Sequence, residues 1–192
     1  MKFPNYNFPE ECQADTKLIL CSLKRKDSYS LLHSVRVSSL AVKIASKMGF
    51  DANFVKELAN AALLHDIGKI AIKKSILDKK APLNHDEYEI MKKHTLFDAE
   101  KYFKKKFPQS VKLAIRQHHE REDGSGYPFS LKSADISIVG KICAVADSYD
   151  AIVSERPYHK AETGNNALAQ ITLGAGKIYD EKIVTALTEL FQ

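Results

Sequence analysis

The stretch FVKELANAALLHDIGK, residues 54–69, decides how this sequence folds. Phe54, Leu58, Ala61 and His65 recur at spacings of three and four, which is the periodicity of a helix with one buried face. The histidine lies on that face, and Asp66 follows it directly. Because an ionised carboxylate can be buried only with a cation or a full set of hydrogen bonds, the stretch predicts a polar centre within a helical core.

The remainder of the chain shows the same helical periodicity, without the sustained alternation of a β-strand. Asn84 and Glu87 resemble a capping box that opens a helix running to about Lys106, and Pro108 suits the first turn of a helix ending near His119. Further helices are predicted over residues 139–153, 165–173 and 180–191, and loops over residues 70–83, 120–137 and 154–162. The sequence therefore predicts an all-α fold.

Length and composition fit one globular domain, since the chain has 192 residues of which 44% are hydrophobic. We predict that this domain covers residues 13–192 and follows an extension of residues 1–12. The three scattered cysteines indicate neither a disulfide framework nor a cysteine zinc site. The sequence has no signal peptide and no run near the ~20 apolar residues of a membrane span, so we expect a cytoplasmic protein without membrane contact.

The net charge of +5 favours anionic partners only weakly. Much of the excess lies in KYFKKK, residues 101–106, which is typical of a solvated helix face. Aromatic residues are not interleaved with that run, so a nucleic-acid polymer is not predicted as a partner. The oligomeric state is left open.

Like His65, several histidines and an aspartate lie three or four residues from apolar positions, and so on the inner faces of predicted helices. With His65, these candidate metal ligands are His33, His94, His118 and Asp147. A single buried histidine is usually a hydrogen-bonded core residue, but several beside buried carboxylates indicate shared metal ions. Imidazole with carboxylate suits iron, manganese or zinc and not calcium.

Two adjacent pairs, His65-Asp66 and His118-His119, extend this prediction. Successive side chains on a helix diverge by about 100°, so one metal can take the imidazole of His65 while Asp66 reaches a second. The other pair lies at a predicted helix end, where both rings can turn towards one centre. A two-metal site of this kind activates a bridging water and clamps a phosphoryl group.

Five segments stand in order along the chain: His33, HDIGK at 65–69, His94, HHEREDGSGYP at 118–128 and VADSYDAIVSERPYHKA at 145–161. Together they resemble the HD-GYP family of cyclic di-GMP phosphodiesterases, over nearly the whole chain from about residue 15. The resemblance implies an all-α HD-domain helical bundle with additional C-terminal helices. It also implies hydrolysis of cyclic di-GMP to pGpG or GMP by a hydroxide that bridges two metal ions.

By position, the resemblance implies two sets of metal ligands that share one bridging carboxylate, Asp66. The first set is His33, His65, Asp66 and Asp147, and the second is His94, His118 and His119. Iron or manganese, divalent or mixed-valence, is the expected metal, with zinc, nickel and cobalt as alternatives.

The resemblance also implies residues that contact the substrate. Lys69 matches the family's lysine beside the cluster, where its ammonium neutralises a phosphate oxygen, and it joins Asp66 as a catalytic candidate. Arg156 matches the arginine that binds substrate phosphate. The loop residues Asp123, Gly124, Gly126, Tyr127 and Pro128 form a turn by their chemistry. In the family that loop shapes the rim of the site, and diguanylate cyclase domains are its candidate partners.

Three positions depart from the family pattern. Tyr29 stands where some members have a glutamate that helps hold a third metal, and a phenol with a pKa of about 10 is a poor ligand, so we predict two metals. Tyr29 is kept as a candidate substrate contact. His159 stands where a lysine is common, with Lys160 beside it as a substitute for substrate binding. Glu122 replaces a frequent aromatic residue on the rim.

Two other functions are compatible with the sequence. A receptor that binds a cyclic dinucleotide with little turnover is favoured by His159 and opposed by the intact ligand set. Hydrolysis of another cyclic dinucleotide, such as cyclic GMP-AMP, fits as well, because the motifs say little about guanine against adenine.

Overall fold

The computed structural model describes residues 14–155 and 161–192. Its helices are α1 (Ala14–Lys26), α2 (Ser28–Lys47), α3 (Ala52–Leu64), α4 (Lys74–Leu77), α5 (His85–Lys92), α6 (Ala99–Phe103), α7 (Gln109–Gln117), α8 (Ile138–Val153), α9 (Gly164–Leu173) and α10 (Glu181–Glu189). Short 3-10 turns occupy Ile67–Ala71, Lys93–Leu96 and Ser133–Asp135. Since these described ranges contain helices and no β-strand, the all-α prediction is confirmed.

Four helices form the centre of the fold. α2 packs against α3 and α8, and α7 packs against both α3 and α8. Their inner faces bury large aliphatic side chains, among them Leu31, Ile44, Leu58, Ile115 and Ile142. Burial of each such side chain contributes about 1.5–3 kcal/mol, so this packing fixes the relative positions of the four helices.

Polar caps define where several of these helices begin. The Asp27 carboxylate accepts hydrogen bonds from the backbone N–H groups of Tyr29 and Ser30 at the start of α2. Asn84 and Glu87 form the capping box that the sequence predicts at the start of α5. Each cap satisfies backbone donors that a helix leaves unpaired and contributes about 1 kcal/mol.

The single helix predicted from Asn84 to about Lys106 is wrong. α5 ends at Lys92, a 3-10 turn follows, and α6 begins only after Asp98, whose carboxylate accepts from the backbone N–H of Lys101. The turn lies directly against Gly68, where an added Cβ would meet the carbonyl oxygen of His94 at 2.0 Å. This close backbone approach requires a glycine, and helical periodicity does not reveal it.

The loop predicted over residues 70–83 is also partly wrong, because it contains the one-turn helix α4. The helices predicted over residues 139–153, 165–173 and 180–191 match α8, α9 and α10 to within two residues at each end. Among the described helices, none combines the length and the apolar character that crossing a bilayer requires.

Candidate metal centre

Seven side chains predicted as metal ligands converge where α2, α3, α7 and α8 approach the turn after α5. They are His33 of α2, His65 and Asp66 after α3, His94 of the 3-10 turn, His118 and His119 after α7, and Asp147 of α8. Two groups have donor atoms within 4.8 Å of one another: His33, His65 and Asp66 in one, and His94, His118 and His119 in the other. The second group has the same members as the second set that the resemblance implies, and the first group has three of the four members of the first set, without Asp147.

The Asp66 carboxylate lies between the two groups. Its Oδ2 is 3.4 Å from Nε2 of His65 and 3.7 Å from Nε2 of His33. Its Oδ1 is 3.4 Å from Nε2 of His94 and 3.7 Å from Nε2 of His118. Each oxygen therefore faces a different histidine pair, which is the placement that a bridging carboxylate needs.

Three of the imidazole rings are held by the backbone of their own turn. The acceptor of Nδ1–H is the carbonyl oxygen of Ala62 for His65 at 2.7 Å, of Met91 for His94 at 2.6 Å and of Ala114 for His118 at 2.8 Å. A carbonyl oxygen can only accept, so Nδ1 carries the proton in each ring. The lone pair of Nε2 is thereby directed into the centre, as in histidine ligands of metals.

The unsatisfied atoms of this centre fit a bound cation. Among the described residues, Nε2 of His65 and Oδ1 of Asp66 are buried without a hydrogen-bond partner. The Nε2 atoms of His94 and His118 are only 3.2 Å apart, although neither carries a proton to share. An unpaired buried polar atom costs about 1–3 kcal/mol, and two facing lone pairs repel each other. Metal ions relieve all of these penalties, and imidazole with carboxylate is a donor set for transition metals.

The protonation states also suit metal binding. Burial lowers the pKa of His94 to about 4 and that of His118 to about 3, so both rings are neutral at pH 7. Although burial opposes it, the nearby Lys69 and His65 hold the pKa of Asp66 well below its usual range. His94, His118 and Asp66 are therefore in the deprotonated forms that coordinate metals. Although burial opposes it, the hydrogen bonds with Asp147 and Asp150 raise the pKa of His33, so a metal ion at this position would replace the proton on its Nε2.

A second layer of side chains positions His33, and sequence reasoning did not predict it. The Asp150 carboxylate accepts Nδ1–H of His33 at 2.7 Å and two hydrogen bonds from Arg36, at 2.6 and 2.9 Å. Nε2 of His33 then faces Oδ1 of Asp147 at 3.0 Å. Spacing could have revealed this contact, because Arg36 and Asp150 each lie three residues, about one helical turn, after a predicted ligand.

Asp147 lies beside both histidine groups. Besides its contact with His33, its Oδ2 is 3.9 Å from Nδ1 of His119. Burial opposes ionisation, but the hydrogen bond with His33 and the charge interactions with His33, His119 and His65 together keep the pKa of Asp147 well below its usual range. A second ionised carboxylate would therefore balance the charge of metal ions held in this centre.

The glycine-rich loop, residues 123–128, packs against the group formed by His94, His118 and His119. The backbone N–H of Tyr127 donates to the carbonyl oxygen of His119 at 3.2 Å, and the two rings stack with centroids 4.6 Å apart. The buried Glu120 carboxylate accepts from the backbone N–H groups of Phe129 and Leu131, at 2.8 and 2.9 Å. Glu120 is a positioning residue that sequence reasoning did not predict, although it follows the histidine pair directly.

A cleft of about 360 Å³ opens beside the centre, and Asp66, Lys69, His94, His119, Arg121 and Asp147 are among its lining residues. Nζ of Lys69 donates to Oδ2 of Asp66 at 2.5 Å, as its predicted place beside the cluster requires. Another cavity, of about 420 Å³, lies between α1 and α3 and touches none of the seven candidate ligands. The first cleft is the site that the chemistry supports.

The other predicted substrate and rim residues have mixed outcomes. The ring of Tyr29 stacks parallel to His33 with centroids 6.4 Å apart, but Tyr29 is not among the residues that line the cleft. Glu122 pairs with Lys141 at 3.1 Å, which accounts for a carboxylate at this rim position. Arg156, His159 and Lys160 lie outside the described residues.

Comparisons with known proteins agree with this geometry. Residues 18–183 match the family model of the HD domain. A cyclic di-GMP phosphodiesterase of Thermotoga maritima is 42% identical over 168 residues, which are 86% of this chain and 45% of that protein. The 3'3'-cGAMP-specific phosphodiesterase 2 of Vibrio cholerae is 31% identical over 195 residues, 98% of this chain and 37% of that protein. The chain thus spans less than half the length of either relative.

A solved structure shows the same fold. An HDG"Y"P protein from Bdellovibrio bacteriovorus superposes with a TM-score of 0.69 at 21% identity, over 92% of this chain and 60% of that chain. The likeness confirms the predicted HD-type helical fold.

Proposed function

This chain belongs to the HD domain family, and from that premise we propose that it is a metal-dependent phosphodiesterase that hydrolyses cyclic di-GMP. The HD-GYP resemblance predicted from the sequence is confirmed by the same comparisons. The activity of the whole protein remains a proposal, because the chain covers 45% of the Thermotoga maritima relative.

One observation carries the proposal: the two oxygens of the buried Asp66 carboxylate face different histidine pairs at 3.4–3.7 Å. A carboxylate between two sets of imidazoles is the arrangement that holds two transition-metal ions a short distance apart. We propose that His33, His65, Asp66 and Asp147 hold one ion and that His94, His118 and His119 hold the other, with Asp66 shared. Iron or manganese suits this set best. We propose two metal ions and not three, because Tyr29 stands where a third ion would need a glutamate.

The chain's own side chains supply the rest of the chemistry. When bound, the two ions supply Lewis acidity and lower the pKa of water. Lys69, on the edge of the cleft, neutralises a non-bridging phosphate oxygen as charge develops. Asp150 and Arg36 keep His33 in place, and the stacked Tyr127 shields His119 from bulk water. The domain that performs this work covers residues 13–192.

Hydrolysis of cyclic GMP-AMP is the second candidate, because a Vibrio cholerae relative with that specificity aligns over 98% of this chain. Both substrates present the same phosphodiester to the centre, so the choice depends on how the bases are recognised. Whether diguanylate cyclase domains dock on the rim loop is a further proposal that a pull-down with purified domains tests.

The experiment is turnover of cyclic di-GMP and cyclic GMP-AMP, each with Mn²⁺ or Fe²⁺, followed by chromatography of the products. We expect pGpG or GMP from cyclic di-GMP, and loss of turnover in Asp66→Ala. The matched control is Asp78→Ala, an exposed aspartate that pairs with Lys74 on α4. Binding of the dinucleotide without product, under every metal condition, would identify a receptor and overturn the catalytic proposal.

A further inference from the structure

Two chemically different groups of side chains line the cleft. One group is the candidate metal ligands, among them Asp66, His94 and His119. The other group is an apolar and aromatic wall formed by Leu83, Tyr88, Met91 and Tyr127. Wall and centre are in direct contact, because the ring of Tyr127 stacks on His119 with centroids 4.6 Å apart.

Tyr88 is the exposed part of this wall. It lies on α5 and is 44% exposed, whereas Tyr127 is half-buried. The two rings pack edge to face, with centroids 6.3 Å apart and an angle of 76° between their planes. Nζ of Lys92 lies 4.9 Å from the centroid of the Tyr88 ring and also pairs with Glu89 at 2.6 Å. The Tyr88 side chain is thus held in position although much of it is open to solvent.

A nucleotide matches this division of the cleft, because its phosphate and its base lie on opposite sides of one sugar. With the phosphate near Lys69 and the metal ligands, the base reaches towards the wall. Stacking on a flat aromatic ring contributes more to the binding free energy of a planar base than contact with an aliphatic side chain does. Such stacking accepts any of the bases.

We propose that Tyr88, supported edge to face by Tyr127, is the stacking platform for one purine base of the cyclic dinucleotide. The inference rests on the proposed function and extends it to recognition of the base. Tyr88 acts in binding and not in the chemical step. Because stacking tolerates either purine, this platform serves guanine and adenine alike, and discrimination between them must come from other contacts.

The test compares Tyr88→Ala and Tyr88→Phe with the unmutated metal-loaded protein. For Tyr88→Ala we expect KM for cyclic di-GMP to rise about 5- to 150-fold, with kcat within about twofold, since base stacking is lost while the phosphate contacts stay. Tyr88→Phe keeps the flat ring, so its KM should stay within about threefold of the unmutated value. Tyr102→Ala is the matched control, because Tyr102 is 58% exposed on α6 and is not among the cleft residues.

A second measurement reports stacking directly and does not require turnover. The probe is a cyclic dinucleotide with 2-aminopurine in place of one guanine, whose fluorescence is quenched when the base stacks. We expect quenching with the unmutated protein, with Tyr88→Phe and with Tyr102→Ala, and its loss with Tyr88→Ala.

The outcomes separate the two proposals. If the unmutated protein turns over cyclic di-GMP but Tyr88→Ala changes neither KM nor quenching, the platform is overturned while the function stands. If quenching depends on Tyr88 but no metal supports turnover, the platform stands and the catalytic proposal fails. A fall in kcat with unchanged KM in Tyr88→Ala would also overturn the platform.

Discussion

Asp150→Asn tests most directly whether the side chains behind His33 set metal affinity. The carboxylate accepts three charge-assisted hydrogen bonds, one from Nδ1 of His33 at 2.7 Å and two from Arg36 at 2.6 and 2.9 Å. An amide of the same shape has one acceptor oxygen in place of two, and its NH2 group must face one of these donors. The substitution therefore breaks at least one hydrogen bond and places the NH2 group of the asparagine against an N–H group of His33 or Arg36.

The magnitude follows from the hydrogen bonds that the amide can no longer accept. Hydrogen bonds to charged groups contribute about 1.5–3 kcal/mol each, so removing one lowers the free energy of unfolding by about 2 kcal/mol. Loss of a group that hydrogen-bonds to a metal-binding histidine lowers metal affinity or activity about 10- to 100-fold. We expect Asp150→Asn to bind Mn²⁺ about 10- to 100-fold more weakly and to recover most of its kcat at saturating metal.

The assay is isothermal titration of chelator-treated protein with Mn²⁺, followed by turnover across a metal series. Asp78→Asn is the matched control, since Asp78 is exposed and pairs with Lys74 far from the centre. Circular dichroism checks that the variant is folded. Unchanged metal affinity in folded Asp150→Asn would refute the reasoning, because His33 would then need no carboxylate to orient it.

Three other substitutions or conditions probe the loop, the turn and the histidines. Glu120→Ala removes the acceptor of two backbone N–H groups, so limited proteolysis should cut the loop after residue 122 faster, and chemical unfolding should show a loss of about 1–3 kcal/mol. Gly68→Ala should weaken metal binding at least tenfold in titrations, because the added Cβ meets the carbonyl oxygen of His94 at 2.0 Å and must displace that turn. The metal-free protein should lose stability as pH falls from about 6.5 towards 4, because the pKa of His94 is about 4 when folded and near 6.5 when unfolded, so the unfolded state binds more protons. Between pH 7 and pH 5 the loss is about 2 kcal/mol for His94 alone, and urea unfolding at these two pH values measures it; equal midpoints would contradict the assignment.

The sequence predicts much of the centre because its ligands obey local rules. His33 and Asp147 are visible as polar residues on apolar helix faces, and both are buried in the structure. The end of α5 at Lys92 cannot be predicted from helical periodicity, because it depends on the close approach of Gly68, which lies more than 20 residues earlier in the chain. Spacing alone marks Asp150 as a neighbour of the ligand Asp147, but its partner His33 is identified only once α2 and α8 are packed together.

The three imidazole–carbonyl hydrogen bonds also bear on how this centre changes during evolution. The acceptors for His65, His94 and His118 belong to the main chain, so no replacement of the side chain at position 62, 91 or 114 deletes them. Of the four rings whose Nδ1 hydrogen bond is described, only His33 has a side-chain acceptor, and a single codon change at position 150 removes it. Side-chain substitutions at those three positions therefore keep the acceptors of three rings, whereas the orientation of His33 on α2 depends on which residue stands at position 150 on α8.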